Sequence, residues 1–225
     1  MIWLASFPRS GNTFFRNVLY EVYGIESSEY HWEKNQELKD NFDQYDVVKT
    51  HLLPEQLPIE IQNKPSVYLV RDGRDAIVSI AHHRKNIVAP GSNYYMNLLE
   101  AILAREGSFF GGWSENVMQW SKKADVIIRF EDLIKDPIRE IEKLRKIVNL
   151  PKPNIEKLPT FESQKFGNPR YGSRKNGGLS TEEQKNHAGR FFRKGKIGVY
   201  KKEMPVLFRL LFWAKNRKAM KLMRY

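Results

Sequence analysis

The stretch "SFPRSGNTFF", residues 6–15, follows the apolar run "MIWLA" and carries the marks of a strand, a tight turn and a helix start in succession. Gly11 permits the turn and Thr13 can begin the helix, so the backbone N–H groups of residues 9–13 point at one spot. Such helix N-termini hold phosphate or sulfate, and Arg9 adds a cation beside them. Taken alone, the same residues also describe a turn that merely caps a buried helix. The usual phosphate loop, G-x-x-x-x-G-K-[ST], needs a first glycine and a lysine that are missing here, which disfavours an ordinary nucleoside triphosphatase.

Working outward, four short apolar runs read as strands: residues 2–7, 46–50, 66–71 and 125–130. Nearly continuous apolar runs suit strands buried on both faces, as in parallel sheets. Helical patterns at 13–23, 74–85, 94–106, 112–122 and 137–148 alternate with them. That order predicts an α/β fold, a central parallel sheet flanked by helices with right-handed crossovers. The 225 residues are enough for one such domain, expected to span residues 1–225. "GNPRYGSRKNGG" at 167–178 reads as a long mobile loop, and "STEEQ" at 180–184 as a capped helix restart. The basic segment 203–225 is an amphipathic helix candidate, packed on the domain with a solvated cationic end or docked on a membrane surface.

Composition narrows the chemistry. With 38 Lys plus Arg against 26 Asp plus Glu, the formal charge of +12 draws in anionic ligands. Cysteine is absent, which removes disulfides, thiolate metal sites and a cysteine nucleophile. No window approaches the roughly 20 apolar residues of a membrane span, and "MIWLASF" is too short for a signal peptide. The expectation is a soluble, cytoplasmic protein with peripheral membrane contact through its last helix as an open alternative.

Three further stretches carry chemistry. In "VVKTHLLP", 47–54, Lys49 and His51 alternate on one face at a strand's carboxyl end, where ligands of parallel sheets collect. A neutral histidine there accepts a proton from an alcohol, and the lysine neutralises charge on a leaving oxygen; a purely structural hydrogen bond is the rival explanation. In "YLVRDGRDAIVSIAHHR", 68–84, Arg71 ends a strand and Ser79 lies in the next helix, both within reach of an anion across the turn, while Asp72, Arg74 and Asp75 read as a local ion-pair set. "FFRKGKIGVYKK", 191–202, holds Gly195 and Gly198 among five cations and reads as a flexible basic loop closing over an anion.

Together these stretches resemble the PAPS-dependent sulfotransferases, which carry "YPKSGT-T-W", "KTHLP", "R-x-x-x-D-x-x-x-S" and "RKG-x-x-G-D-W-K" in the same order. The resemblance runs from residue 2 to about 202. It implies a P-loop-like fold that binds 3′-phosphoadenosine 5′-phosphosulfate (PAPS) and releases 3′-phosphoadenosine 5′-phosphate (PAP). It implies that Arg9, Ser10, Gly11, Asn12, Thr13 and Phe14 form the 5′-phosphosulfate loop, with Phe14 where the family has a tryptophan stacked on adenine. Arg71, Ser79, Arg193, Lys194 and Gly195 then correspond to the 3′-phosphate site, Phe161 to a second aromatic contact, and Phe130 to the tyrosine of the family's "Y-E-D-L".

The mechanism implied is in-line transfer: His51 takes the acceptor's proton while Lys49 and Arg9 stabilise the departing oxygen, without a metal. Arginine replaces the lysine of many members at position 9 and has a pKa above roughly 12, so it holds the oxygen rather than protonating it. Val199 and Tyr200 stand where the family has aspartate and tryptophan.

The expected acceptor is a small molecule, a glycan or a lipid-linked alcohol, with Tyr30, His31, Trp32, His82, His83, Tyr94 and Tyr95 as candidate contacts. Nucleic acid is not expected, and the oligomeric state stays open. Two rivals remain at this level: an ATP-dependent small-molecule kinase with an altered phosphate loop, and a non-catalytic polyanion-binding module.

Overall fold

The computed structural model describes residues 1–30, 41–108, 111–173 and 180–225. In chain order the elements are β1 (Ile2–Ser6), α1 (Asn12–Tyr23), β2 (Ser27–Tyr30), β3 (Val47–Thr50), β4 (Ser66–Val70), α2 (Gly73–His83), α3 (Tyr94–Leu103), α4 (Trp113–Lys123) and β5 (Val126–Arg129). There follow α5 (Phe130–Leu133), α6 (Pro137–Glu142), α7 (Phe161–Phe166), α8 (Thr181–Phe191), α9 (Tyr200–Glu203) and α10 (Val206–Leu222).

The strands form one sheet in the order β2-β3-β1-β4-β5, with every pair parallel. Alternation along β1 sorts its side chains to two cores. Ile2 and Leu4 join Phe15, Val18 and Leu19 of α1, with Ile141 of α6, on one face. Trp3 and Ala5 join residues of α2, α3, α4 and α10 on the other, where Trp113, Trp120 and Phe212 are fully enclosed. Helices therefore cover both faces, and both sides of the central strands are apolar, which is why these strands read as unbroken apolar runs.

Three expectations shift. Five strands are present among the described residues rather than four: β2, "SSEY", has no apolar run and owes its extended form to pairing with β3 through Ser27–Val47 and Tyr30–Thr50. The helix expected over 137–148 gives way after Glu142 to a 3₁₀ turn at Lys143–Lys146. Residues up to 173 of the expected mobile loop are anchored on α1: Tyr171 exchanges hydrogen bonds with Asn17 (2.9 and 3.1 Å), and Arg16 stacks 3.8 Å above its ring. Residues 174–178 of that loop lie outside the described residues. The helix restart stands as expected, Ser180 and Glu183 closing a reciprocal cap at the start of α8.

Candidate active site

The sheet order reverses direction at β1, and the carboxyl ends of β1, β3, β4 and β5 converge there. This is where open parallel sheets place ligands. Each of the expected stretches leaves one of these ends or folds back over them.

The turn after β1 is built on two left-handed residues. Gly11 sits at φ 98, and a Cβ there would come 2.5 Å from the Phe130 ring, so only glycine fits. Arg9 takes φ 67, an uncommon conformation for a side-chain-bearing residue. It is held from three sides: its carbonyl accepts from Arg71 (3.1 Å), its Nη2 donates to the Phe191 carbonyl (2.6 Å), and its Nε donates to Ser79 Oγ (3.3 Å). Its guanidinium also lies 4.3 Å over the Phe191 ring. Helix α1 begins directly after Gly11 with no side-chain cap, which leaves its first-turn N–H groups for an anion.

Among the described residues eight buried side-chain polar atoms lack partners, and four of them belong to the expected anion stretches: Ser10 Oγ and Asn12 Oδ1 in this turn, Arg71 Nε after β4 and Arg193 Nε in the late segment. Buried polar groups are nearly always satisfied, so these four are polar groups that a ligand could satisfy. The cations are crowded. Burial, then Arg71 and Arg193, lowers the Arg9 guanidinium to about 9, still protonated at neutral pH. Burial likewise lowers Arg71, although Asp75 and Glu131 oppose it. An incoming anion relieves this repulsion.

Lys49 lies on the α1 side of β3, across from Leu4 in β1 and Glu29 in β2. Its Nζ donates to Glu29 (3.2 Å), which also receives Arg16. Burial lowers the Lys49 ammonium from its ordinary range, and Glu29 opposes that shift.

His51 stands just past β3, its Nδ1 2.8 Å from the Ser6 carbonyl and 3.3 Å from Ser6 Oγ. A carbonyl only accepts, so Nδ1 carries the proton, and Nε2 is the basic nitrogen of the neutral ring. Asn12 Nδ2 donates to the same Ser6 hydroxyl (3.0 Å), linking the first residue of α1 to the histidine.

The late basic segment is fastened rather than free. Gly198 and Tyr200 donate their backbone N–H groups to Asp75 (2.6 and 2.8 Å), and Arg71 donates to the Lys196 carbonyl (3.0 Å). Tyr200 receives the Arg74 guanidinium at 4.1 Å. Asp72 bonds Arg74 and Asp75 holds this loop, so the acidic residues of the third stretch serve structure. Arg193 and Lys194 both donate to Glu203, which also receives His82 at 3.0 Å.

Phe161, 37% exposed, packs against Gly195, whose Cβ would lie 2.5 Å from its ring. Phe130 is buried between Gly11 and Arg71, whose guanidinium is 4.4 Å above its ring. Phe14 and Thr13 are half-buried, Phe14 at the margin of the α1 core.

Among the acceptor candidates, Tyr30 is buried against Trp3 and Phe42 and belongs to the core. Tyr94 stacks on His82 at 4.4 Å, His83 meets Phe191 edge-on, and Tyr95 is exposed. His31 and Trp32 lie outside the described residues. Sequence reasoning missed Ser6, Glu29, Phe191 and Glu203, because nothing in their local pattern announces partners so far along the chain. A serine as the last residue before the turn was the one available signal.

Residues 1–224 match the family model described as sulfotransferase domain. Mouse (Mus musculus) sulfotransferase 1E1 is 27% identical over 245 residues, covering 97% of this chain and 82% of the relative. Cytosolic sulfotransferase 1 of Danio rerio is 26% identical, with 91% and 77% covered. Among solved structures, mouse sulfotransferase SULT7A1 complexed with PAP superposes with a TM-score of 0.74 at 20% identity, covering 98% of this chain and 83% of the other. Retinol dehydratase in complex with androsterone and inactive cofactor PAP gives 0.65 at 20% identity, with 98% and 80% covered. At these identities the structural likeness is one of fold.

Proposed function

Because the chain belongs to the sulfotransferase domain family, we propose that it transfers a sulfuryl group from PAPS to a hydroxyl or amine of a small acceptor, with His51 as general base. The observation that carries this reading is the uncapped start of α1 with the unpartnered buried Ser10 Oγ and Asn12 Oδ1 in its turn, together with the unpartnered buried Nε atoms of Arg71 and Arg193. The residues fit such a donor: a glycine turn and helix N-terminus for one phosphate-type group, and a second set of cations from β4 and the late loop for another.

When bound, PAPS supplies an activated sulfuryl group whose departure leaves charge on a phosphate oxygen. Arg9 and Lys49 hold that charge, Arg9 by its planar fork and Lys49 as a point charge kept in place by Glu29. His51, fixed by Ser6 in the tautomer with basic Nε2, takes the acceptor's proton there. Arg71 and Arg193 bind the remote phosphate, with Ser79, Lys194 and the Gly195 backbone beside them. Phe161 offers a half-open ring for the purine, over the backbone of Gly195. Positioning and fixed charge supply most of the acceleration. The acceptor is a small-molecule, glycan or lipid-linked alcohol, and a cytoplasmic setting belongs to the same proposal.

Calorimetric titration with PAP, ATP and AMP, once in the presence of a chelator and once with magnesium, tests this reading. Tight binding that requires the 3′-phosphate supports it. Preference for ATP that appears only with magnesium overturns it in favour of a small-molecule kinase.

A further inference from the structure

Helix α10 packs one face and leaves the other bare. Phe212, Ala219 and Met220 are buried inward, with Phe212 6.0 Å from the Trp113 ring. Lys215 Nζ fastens the same side to the carbonyls of Leu103 and Ala104. On the outward side, Leu207, Leu210 and Trp213 follow at helical spacing and are 71, 63 and 38% exposed, with Val206 beside them. Tyr95, Met96 and Leu103 of the neighbouring α3 are exposed as well. The outward row then turns cationic, with Arg217, Lys218, Lys221 and Arg224 all exposed. From residue 204 to 225 the chain holds no Asp or Glu.

We propose that this face of α10 docks on an anionic lipid bilayer, with Leu207, Leu210 and Trp213 inserted at the interface and the basic half lying against the headgroups. Contiguous large apolar residues on a water-facing helix mark an interaction surface. A row that pairs Leu and Trp with Lys and Arg fits the boundary between acyl chains and anionic headgroups. Charge selects the occupant. A second copy meeting this face through a two-fold axis would bring two acid-free basic helices together, whereas an anionic bilayer complements them. The helix is rigidly joined to the domain, since Tyr225 donates to Glu131 (2.6 Å) and Phe212 fills the space that the missing side chain of Gly73 leaves. Docking therefore orients the whole molecule. This inference does not depend on the chemistry proposed for the site.

The test is co-sedimentation of the full chain with sucrose-loaded vesicles of phosphatidylcholine, with and without phosphatidylglycerol. Wild type is expected to pellet with the anionic vesicles only. Leu210→Glu with Trp213→Glu is expected to reduce binding about tenfold or more, with PAP affinity and melting temperature unchanged. Lys218→Glu with Lys221→Glu, which leaves the apolar row intact, is expected to weaken binding and flatten its salt dependence. Failure of wild type to pellet, or pelleting of the apolar-row variant as well as wild type, overturns the proposal. So does light scattering that shows a wild-type dimer dissociating in the apolar-row variant, which assigns the face to a second copy.

Discussion

The Nδ1 of His51 lies 2.8 Å from the carbonyl oxygen of Ser6, the last residue of the central strand. A ring nitrogen facing a carbonyl must be the protonated one, so this contact decides which nitrogen of His51 is basic. Replacing His51 by Ala is expected to lower kcat about 10²- to 10⁴-fold while PAP affinity stays within about twofold. Ser6→Ala keeps the carbonyl and loses the hydroxyl that joins His51 to Asn12. A smaller loss of about tenfold in kcat is expected there, with KM for PAPS unchanged and activity restored by Ser6→Thr. Transfer assays beside PAP calorimetry read both variants, and full activity in His51→Ala would remove the general-base assignment.

Gly11 should accept no side chain. Alanine at φ 98 meets the Phe130 ring at 2.5 Å, combining backbone strain with overpacking. The expected cost is about 2–4 kcal/mol of stability, together with loss of PAP binding. Thermal melting and calorimetry on Gly11→Ala check this, and a variant that melts and binds as wild type contradicts the turn's role.

The half-exposed ring of Phe161 separates binding from folding. Phe161→Ala is expected to raise the Kd for PAP by about 5- to 150-fold, the range of one base–aromatic stack of about 1–3 kcal/mol. Melting should change little. Unchanged affinity would assign the ring to packing on Gly195 alone.

The role proposed for Lys49 predicts an alkaline limit to the reaction. Burial lowers its ammonium from 10.5 despite Glu29, so the charge proposed to hold the leaving oxygen is lost as pH rises through a value below 10.5. The kcat profile is expected to fall there, with Arg9, lowered to about 9, contributing to the same limb; Lys49→Arg, whose ordinary pKa is higher, should shift that limb upward by removing the lysine's share. An alkaline limb at the same pH in both proteins would count against this role.

Glu203 ties Arg193, Lys194 and His82 together. Burial opposes its ionisation, but hydrogen bonds from Lys194 and Arg193 prevail and hold the carboxyl below 4.5. A carboxylate with a depressed folded-state pKa adds stability above its unfolded value and loses it as pH falls through the folded one. Glu203→Gln is thus expected to cost about 1 kcal/mol at neutral pH, about 2–4 °C in Tm for a chain of this size. The gap between variant and wild type should close below pH 4.5, as melting curves across pH will show.

The alternation of apolar strands and helical patterns fixed an α/β fold with a parallel sheet from sequence alone, because residues buried on both faces must be apolar whichever neighbours they meet. The four stretches proposed to bind anions could be picked out in the sequence as well, since a glycine at a left-handed turn, a strand-end histidine and clustered arginines are local demands written in local residues. β2 escaped that reading because "SSEY" is extended only through its pairing with β3. What the tertiary structure alone decided are the meetings across the chain: Ser6 with His51, Arg9 with Ser79 and Phe191, Glu29 with Lys49, and Glu203 with Arg193. These depend on the order in which strands lie side by side and on where the late loop returns. Strand order and chain return follow from the packing of whole faces, which no single stretch of sequence encodes.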